Sequence, residues 1–590
     1  MPTVLLLGTL LLAAPPAEPR PVPIGARIDN LTFKDTRFLT RSLDDFPRAQ
    51  AFVLVFTDTG CPLVPRYLPT LQRLEREYRP KGVQFLAVNA GADDTLVEVA
   101  AQAVEHGVEF PFVKDPDGRC VAALGVERTP ETVILDGQRR LRYRGRIDDQ
   151  YRPGGGRPAP TRNDLKEALD AVLAGREVAV PTTPVDGCRI TRAEPRADEL
   201  PVTFAEHVAP VLRRHCQECH RPASPAPFSL VTYEQARGRA KAIAEVTADG
   251  RMPPWYATPG HGEFVNRRGL TPAEREVLAR WVRGGTTRGD ESKLPPPPTD
   301  GPGRWRIGEP DLILSTGVEE LPADGDVPYR YAILPHVFLQ ETWVEGVQVL
   351  PDNPRVVHHS NLAAASYGEK FDSSKFITGF VPGGDPMRLG DGVAVRIPAG
   401  SVLALQIHFV TTGKPEKCRL QVGLKYASGT VHKQIRHVLL DDHRFAIPPG
   451  APAYPVTAIR TLDRDAIGIG LFSHMHLRGK AMTFRAHPPG GEAETLLVIP
   501  NFSFDWQMPY RWPDGRKRFP IGTKLECVAL YDNSAFNPYN PDPTATVRDG
   551  PQTYHEMMNG FFFYVDANED LKLDIDPKTG RAKQRSAEKR

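Results

Sequence analysis

Phe52-Val53-Leu54-Val55-Phe56-Thr57-Asp58-Thr59-Gly60-Cys61-Pro62 decides the reading of the N-terminal fold. Its first five residues are an unbroken apolar run, the pattern of a short buried strand. Gly60 and Pro62 break the run, and Leu68, Leu71 and Leu74 then recur at helical spacing. A second apolar run, Val83-Gln84-Phe85-Leu86-Ala87-Val88, follows that helix. A third, Thr132-Val133-Ile134-Leu135, follows Thr129-Pro130, a candidate cis bond. Strands alternating with helices define an α/β sheet over residues 22–180. Cys61 stands where the strand turns into the helix. The helix N-terminus favours a thiolate there, so Cys61 is the candidate redox thiol.

The chain has 590 residues, too many for one core, with 40% apolar and 25% charged residues. Its net charge of +2 provides no basic field for nucleic acid. Met1 to Ala14 form a short apolar run followed by small residues and prolines, the pattern of a signal peptide over 1–18 cleaved between Ala14 and Arg20. The expected location is periplasmic or secreted, with no stable membrane span. Seven cysteines at scattered spacings point to several local chemistries rather than a disulfide framework.

His215-Cys216-Gln217-Glu218-Cys219-His220 contains Cys-x-x-Cys-His. Two thiols so spaced can reach the vinyl groups of one haem, and the adjoining histidine can ligate its iron. A zinc site would need a second ligand pair, and none follows at suitable spacing. Met252, in Gly250-Arg251-Met252-Pro253-Pro254-Trp255, is the expected second axial ligand, with His261 as the alternative. Helical patterns flank the motif, the later one opening with Thr271-Pro272-Ala273-Glu274, a cap followed by proline and glutamate. Leu294-Pro295-Pro296-Pro297-Pro298 closes this module of residues 200–290 as a stiff spacer.

Beyond Trp305 the pattern is short strands with Gly/Pro turns, which predicts β-sandwiches. Five of the 16 histidines fall in three motifs of this region: His358-His359, His408 in Gln406-Ile407-His408-Phe409, and His474-Met475-His476. Histidines at i and i+2 of a strand share a face, which pre-orients His474 and His476 toward one point. Imidazole and thioether suit copper.

Three resemblances follow. Residues 22–180 resemble the thioredoxin-like superfamily in its alkyl hydroperoxide reductase/thiol-specific antioxidant branch, with an incomplete motif: Val64 replaces the second cysteine of Cys-x-x-Cys, leaving Cys120 or Cys188 as the resolving thiol, and Asp58 stands where the peroxidase pattern has threonine. Residues 200–290 resemble a class I c-type cytochrome. Residues 320–567 resemble the type II, ascorbate-dependent copper monooxygenases in four ordered motifs: Val356-Val357-His358-His359, Gln406-Ile407-His408-Phe409, His474-Met475-His476-Leu477-Arg478-Gly479-Lys480 and Glu556-Met557-Met558-Asn559.

The last resemblance implies two jelly-roll domains, 304–435 and 436–567, separated by a solvent-filled cleft. It implies an electron-transfer copper on His358, His359 and His408. It implies an oxygen-activating copper on His474, His476 and Met557, where a C–H bond is hydroxylated. Met558 takes the place of a family cysteine, so Cys527 is expected to be an unpaired thiol. Phe472 and Phe561 replace the arginine and tyrosine that hold a peptide carboxylate in peptide-amidating members, so a small apolar or aromatic substrate is expected.

The expected fold is multidomain: α/β thioredoxin-like, then all-α cytochrome c-like, then two all-β jelly-roll sandwiches, with a disordered tail over 568–590. The expected function is copper-dependent monooxygenation with electrons delivered through a fused c-type haem. The expected cofactors are two copper ions and haem c, with dioxygen, a small-molecule substrate and an external donor, ascorbate or a redox protein. The alternatives are a non-catalytic electron-transfer or copper-binding protein, or a thiol peroxidase with appended domains.

Overall fold

The structure, a computed structural model, describes residues 22–190, 201–222, 226–296, 304–366, 368–369, 371–381 and 383–583. The expected signal peptide and the end of the polyproline spacer lie outside them. By its contacts the chain forms two compact units, one of residues 1–94 and 110–194, the other of residues 95–109 and 195–590.

The first unit is built on a seven-stranded sheet in the order Thr40–Ser42, Thr32–Asp35, Phe112–Lys114, Val83–Asn89, Ala51–Thr57, Glu131–Asp136, Leu141–Gly145. Ala51–Thr57 is buried at every position, as an unbroken apolar run requires. It runs parallel to Val83–Asn89 and antiparallel to Glu131–Asp136. The helix Leu63–Tyr78 buries Leu68, Leu71 and Leu74, the stripe read from the sequence. This is the expected thioredoxin-like α/β sheet. The module extends past residue 180, because Cys188–Arg189 pairs with Arg128–Thr129 in a separate two-stranded sheet. A two-residue strand among prolines and threonines carries no periodicity, so the sequence pattern ended too early.

In the second unit, residues 204–283 hold a helical turn, Phe204–Val208, then the helices Ala209–His215, Tyr233–Arg237, Ala240–Ala248 and Pro272–Arg283. Phe204, Val208, Leu212, Ile243, Leu278 and Trp281 form their shared core. Thr271 accepts from Glu274 N and the Glu274 carboxylate returns to Thr271 N, the predicted capping box.

The remainder is β-rich. A sheet runs in the order Leu312–Ser315, Leu420–Tyr426, Thr342–Pro351, Val393–Ile397, Lys433–Asp441, Asn559–Asp566, Ala466–His474, Pro509–Arg511. Two four-stranded sheets accompany it. One holds Arg330–Phe338, Ser401–Phe409, Val357–Ser366 and Phe376–Phe380; the other holds Tyr454–Thr461, Lys524–Tyr531, Gly479–His487 and Glu494–Ile499. Val344, Val347 and Val422 of the large sheet share one core with Leu362, Leu403 and Leu405 of the first small sheet, which makes a sandwich.

The structure departs from two expectations. A division at 435/436 cuts a strand: Lys433–Asp441 pairs in parallel with Val393–Ile397 and antiparallel with Asn559–Asp566. The large sheet is therefore shared by both halves. The region from 568 is not wholly a disordered tail either. Leu573–Asp576 pairs with Gly429–Val431 and with Arg581–Ala582, and Ile575 is buried against Trp343, Ala394 and Val431. Its charge-rich composition masked the alternation of Leu571, Leu573 and Ile575.

Candidate functional site

In the first unit, the Ala51–Thr57 strand delivers Cys61 to the start of the Leu63–Tyr78 helix, with Pro62 at the cap. Cys61 is buried, and its Sγ donates to Thr129 O at 3.2 Å. The Thr129-Pro130 bond is cis. Register places Cys188 opposite Thr129, whose carbonyl Cys61 also meets. Burial pushes the Cys61 thiol up, but the Cys188 thiol and the backbone N–H groups of Leu63 and Val64 outweigh it, leaving Cys61 below an ordinary thiol. Cys188 is pushed up to about 11 by burial and by the Cys61 thiol. Cys120 is held elsewhere: its Sγ donates to Thr32 O at 3.4 Å, and burial pushes it upward. Of the two candidate partners, the fold brings Cys188 to Cys61.

A pH consequence follows. The rate of Cys61 alkylation by iodoacetamide is expected to reach half its maximum below the pH of a free thiol. Cys188→Ala is expected to move that midpoint upward, because the thiol that favours the thiolate is gone. Peptide mapping over a pH series measures it; an unmoved midpoint would contradict the assignment.

In the second unit, Cys216, Cys219 and His220 lie on one tight turn, where Cys219 N and His220 N both reach Cys216 O, at 3.2 and 2.8 Å. His220 Nδ1 lies 3.1 Å from Phe228 O, and burial holds the imidazole below its usual pKa. A neutral imidazole whose Nδ1–H is taken by a carbonyl presents Nε2 to a metal. The turn therefore fits a c-type haem. Met252 is on a separate turn after Ala240–Ala248, with its N–H on Val246 O and a cis bond to Pro253.

The β region brings the three histidine motifs together. The adjacent strands Val357–Ser366 and Ser401–Phe409 place His359 opposite His408. Ligand atoms of His358, His359 and His408 lie within 4.8 Å of one another. His358 Nδ1 is 3.0 Å from His359 Nδ1, and His358 Nε2 is 3.0 Å from Asp505 Oδ1. Burial pushes His408 down to about 3 and His359 well below the usual imidazole value, aided by the neighbouring histidines, so both imidazoles are neutral.

His474 ends the strand Ala466–His474, and His476 lies on the turn beyond it. His474 Nδ1 meets Gln507 Oε1 at 2.6 Å, and His476 Nδ1 meets His555 O at 3.3 Å. Both Nε2 atoms are thereby left for a ligand. Glu556, fully buried, ties this turn to the Met557 segment: its carboxylate accepts from His476 N at 2.9 Å, Arg478 N at 2.6 Å and Met557 N at 3.3 Å. Met557 is half-buried with Asn559 Nδ2 3.7 Å from its sulfur, whereas Met558 is buried. Cys527 is a free, buried thiol, as expected.

Among the histidines that could hold a metal, two buried nitrogens, His408 Nδ1 and His476 Nε2, have no hydrogen-bond partner among the described residues. Each unmet buried group costs about 1–3 kcal/mol. A metal ion on each would remove that cost, so the residues fit the copper that the motifs imply.

The implied solvent-filled cleft is corrected. The His359 and His474 rings are 5.8 Å apart, and His474 and His476 5.2 Å, so the two groups adjoin. Phe504 packs among them, stacked on His358 at 4.5 Å and within 6.1 Å of His476. Sequence reading missed Phe504, Asp505 and Gln507, which share one loop without periodicity; Tyr329, 4.8 Å from His408 ring to ring, was also missed. A cavity of about 560 Å³ opens on the strands that carry His359 and His474. Phe376, Phe472 and Phe563 line it, together with Cys219, Arg388 and Arg511. Phe561 lies 5.1 Å from Phe376, behind that aromatic wall. The arginines make the cavity less purely apolar than Phe472 and Phe561 alone suggested.

A buried parallel core that presents a hydrogen-bonded cysteine at a helix start, facing a cis-proline loop, defines a thioredoxin-like thiol module. Residues 24–144 match the AhpC/TSA family. The thiol-disulfide oxidoreductase ResA of Geobacillus thermodenitrificans is 31% identical over 130 residues, 22% of this chain and 73% of that protein. ResA of Halalkalibacterium halodurans is 31% identical over 83 residues, 14% of this chain and 46% of that protein. Among solved structures, a hypothetical protein of Sinorhizobium meliloti 1021 shares 30% identity over 29% of this chain and 96% of its own, with a TM-score of 0.28. Through its N-terminal domain, the chain belongs to the AhpC/TSA family of thioredoxin-like proteins.

Proposed function

We propose that the chain is a multidomain oxidoreductase whose N-terminal module carries out thiol–disulfide exchange. The observation that carries this is the lowered Cys61 thiol at a helix start with a second thiol against it. Similarity to proteins named thiol-disulfide oxidoreductases supports the same reading. Asp58 in place of threonine argues for a disulfide rather than a peroxide as the oxidant. Cys61→Ser is expected to abolish reduction of glutathione disulfide by the dithiol-reduced protein; a variant as active as the native chain would overturn this.

A second reading concerns the other unit, and the convergence of five imidazoles favours it. On this reading His358, His359 and His408 hold one copper, and His474, His476 and Met557 hold the other. Bound copper would supply dioxygen activation for C–H hydroxylation. The protein's residues keep the imidazoles neutral, hold their tautomers through Gln507 and the His555 carbonyl, and exclude water with Phe504. The cavity suits a small substrate with an aromatic or apolar body and an anionic group for Arg388 or Arg511. Cys216 and Cys219 would attach a haem that His220 and Met252 ligate, and that haem would supply electron transfer. Ascorbate or a redox protein would be the external donor. This chemistry fits a periplasmic or secreted location. Absorption spectra of the purified chain and its copper content test this; protein with neither haem nor copper after expression with both would sink it.

A further inference from the structure

The sequence leaves Cys61 without its usual neighbour, since Val64 occupies the second cysteine position of Cys-x-x-Cys and is buried. The fold supplies another thiol from far along the chain. Cys188 lies opposite Thr129 in register, and Cys61 Sγ donates to the carbonyl of that same Thr129. Both cysteines are therefore gathered at one residue of the cis-proline loop. The approach is close by construction of the backbone: a Cβ on Gly187 would lie 2.3 Å from Thr129 O. Arg128 Nη1 donates to Gly187 O at 2.7 Å and pins the segment. The loop is anchored in turn by Glu131, whose carboxylate accepts from Glu127 N and Arg128 N.

We propose that Cys188 is the resolving thiol of Cys61, so that the module works through a long-range dithiol in place of Cys-x-x-Cys. This rests on the thiol reading above. The Cys61 thiolate attacks one sulfur of a substrate disulfide; that S–S bond breaks, and the first substrate thiolate leaves and takes a proton. Cys188 gives up its proton and attacks Cys61 Sγ in the mixed disulfide, releasing the second substrate thiol. Two electrons pass from the protein dithiol to the substrate disulfide, which gains two protons, and the Cys61–Cys188 disulfide remains. An external dithiol returns the pair to its reduced form. Cys61 is buried and Cys188 is partly exposed at the edge of the loop. The interaction between the two thiols leaves Cys61 with the lower pKa and Cys188 with the proton.

The test uses the reduced full-length chain exposed to glutathione disulfide and mapped by non-reducing peptide mass spectrometry. The native chain is expected to give a Cys61–Cys188 linked peptide and little retained glutathione. Cys188→Ser is expected to accumulate glutathione on Cys61 by at least about 10-fold more, because nothing resolves the mixed disulfide. Cys120→Ser should behave as the native chain. Gly187→Ala, which displaces the Cys188 strand from Thr129, should shift the native pattern toward that of Cys188→Ser. Equal retention of glutathione on Cys61 in the native chain and Cys188→Ser, or a link from Cys61 to another cysteine, would overturn the role of Cys188 and leave the thiol reading standing. Failure of Cys61 to take up glutathione in any of these proteins would overturn both.

Discussion

On the copper reading proposed above, His476→Ala is expected to lower bound copper from two ions per chain to one and to reduce ascorbate-driven oxygen consumption by about 100-fold or more. Losses of about 10–100-fold are typical when only an outer partner of a metal ligand is removed, so loss of the ligand itself sets a higher floor. The position of this ring is the reason. It is buried, its Nδ1 is held by the His555 carbonyl, and its Nε2 has no partner among the described residues. Alanine removes the ring without disturbing the backbone N–H that Glu556 holds. His358→Ala is expected to reduce copper equally, from the other group. Metal analysis and an oxygen electrode are the measurements. Copper still at two ions with undiminished oxygen uptake would remove His476 from the site.

Glu556→Ala is expected to destabilise the β region by about 3–5 kcal/mol, since each buried donor left without an acceptor costs about 1–3 kcal/mol. Three backbone N–H groups, of His476, Arg478 and Met557, would lose their acceptor. Arg478, itself buried and donating to Asn533 Oδ1 and Tyr554 O, would lose the facing carboxylate. Burial pushes Glu556 up to about 8 against those same donors and Arg478. A carboxyl whose folded pKa lies above its unfolded value of about 4.3 binds the proton more tightly when folded. Its contribution is therefore full at low pH and lost as pH rises through about 8. Glu556→Gln, which keeps one acceptor and no charge, should lose less than alanine and flatten that pH dependence. Chemical denaturation followed by tryptophan fluorescence measures both; an alanine variant as stable as the native chain would show that the clamp carries no weight.

The thiol module was legible wherever the signal was local. An apolar run, a cysteine and a helical stripe are contiguous, and the fold places them as read. The partner of Cys61 was not legible, because topology rather than spacing brings residue 188 to residue 129. The histidines were legible as motifs, but the expected strand alternation was not what placed them: His474 ends its strand and His476 lies on the turn beyond it. Their closeness was not legible: nothing in periodicity tells that the Val357–Ser366 and Ala466–His474 strands present their rings within 5.8 Å. The 501–508 loop, with Phe502, Phe504 and Trp506 crowded between strands, held the one available cue to its role.

The last described strands bear on how the β region comes apart. Leu573–Asp576 is a clasp closed on the first half of the region, with Ile575 seated beside Trp343 and Gly580 O accepting from Trp343 N at 2.7 Å. The Lys433–Asp441 strand stitches the same halves from within. Fastened at two places far apart in the chain, the halves share one cooperative unit. Truncation before Leu571 would open the seat of Trp343 rather than trim an end. Heating or denaturant should accordingly melt the two histidine groups in a single transition, with the loss of either group signalling the loss of both.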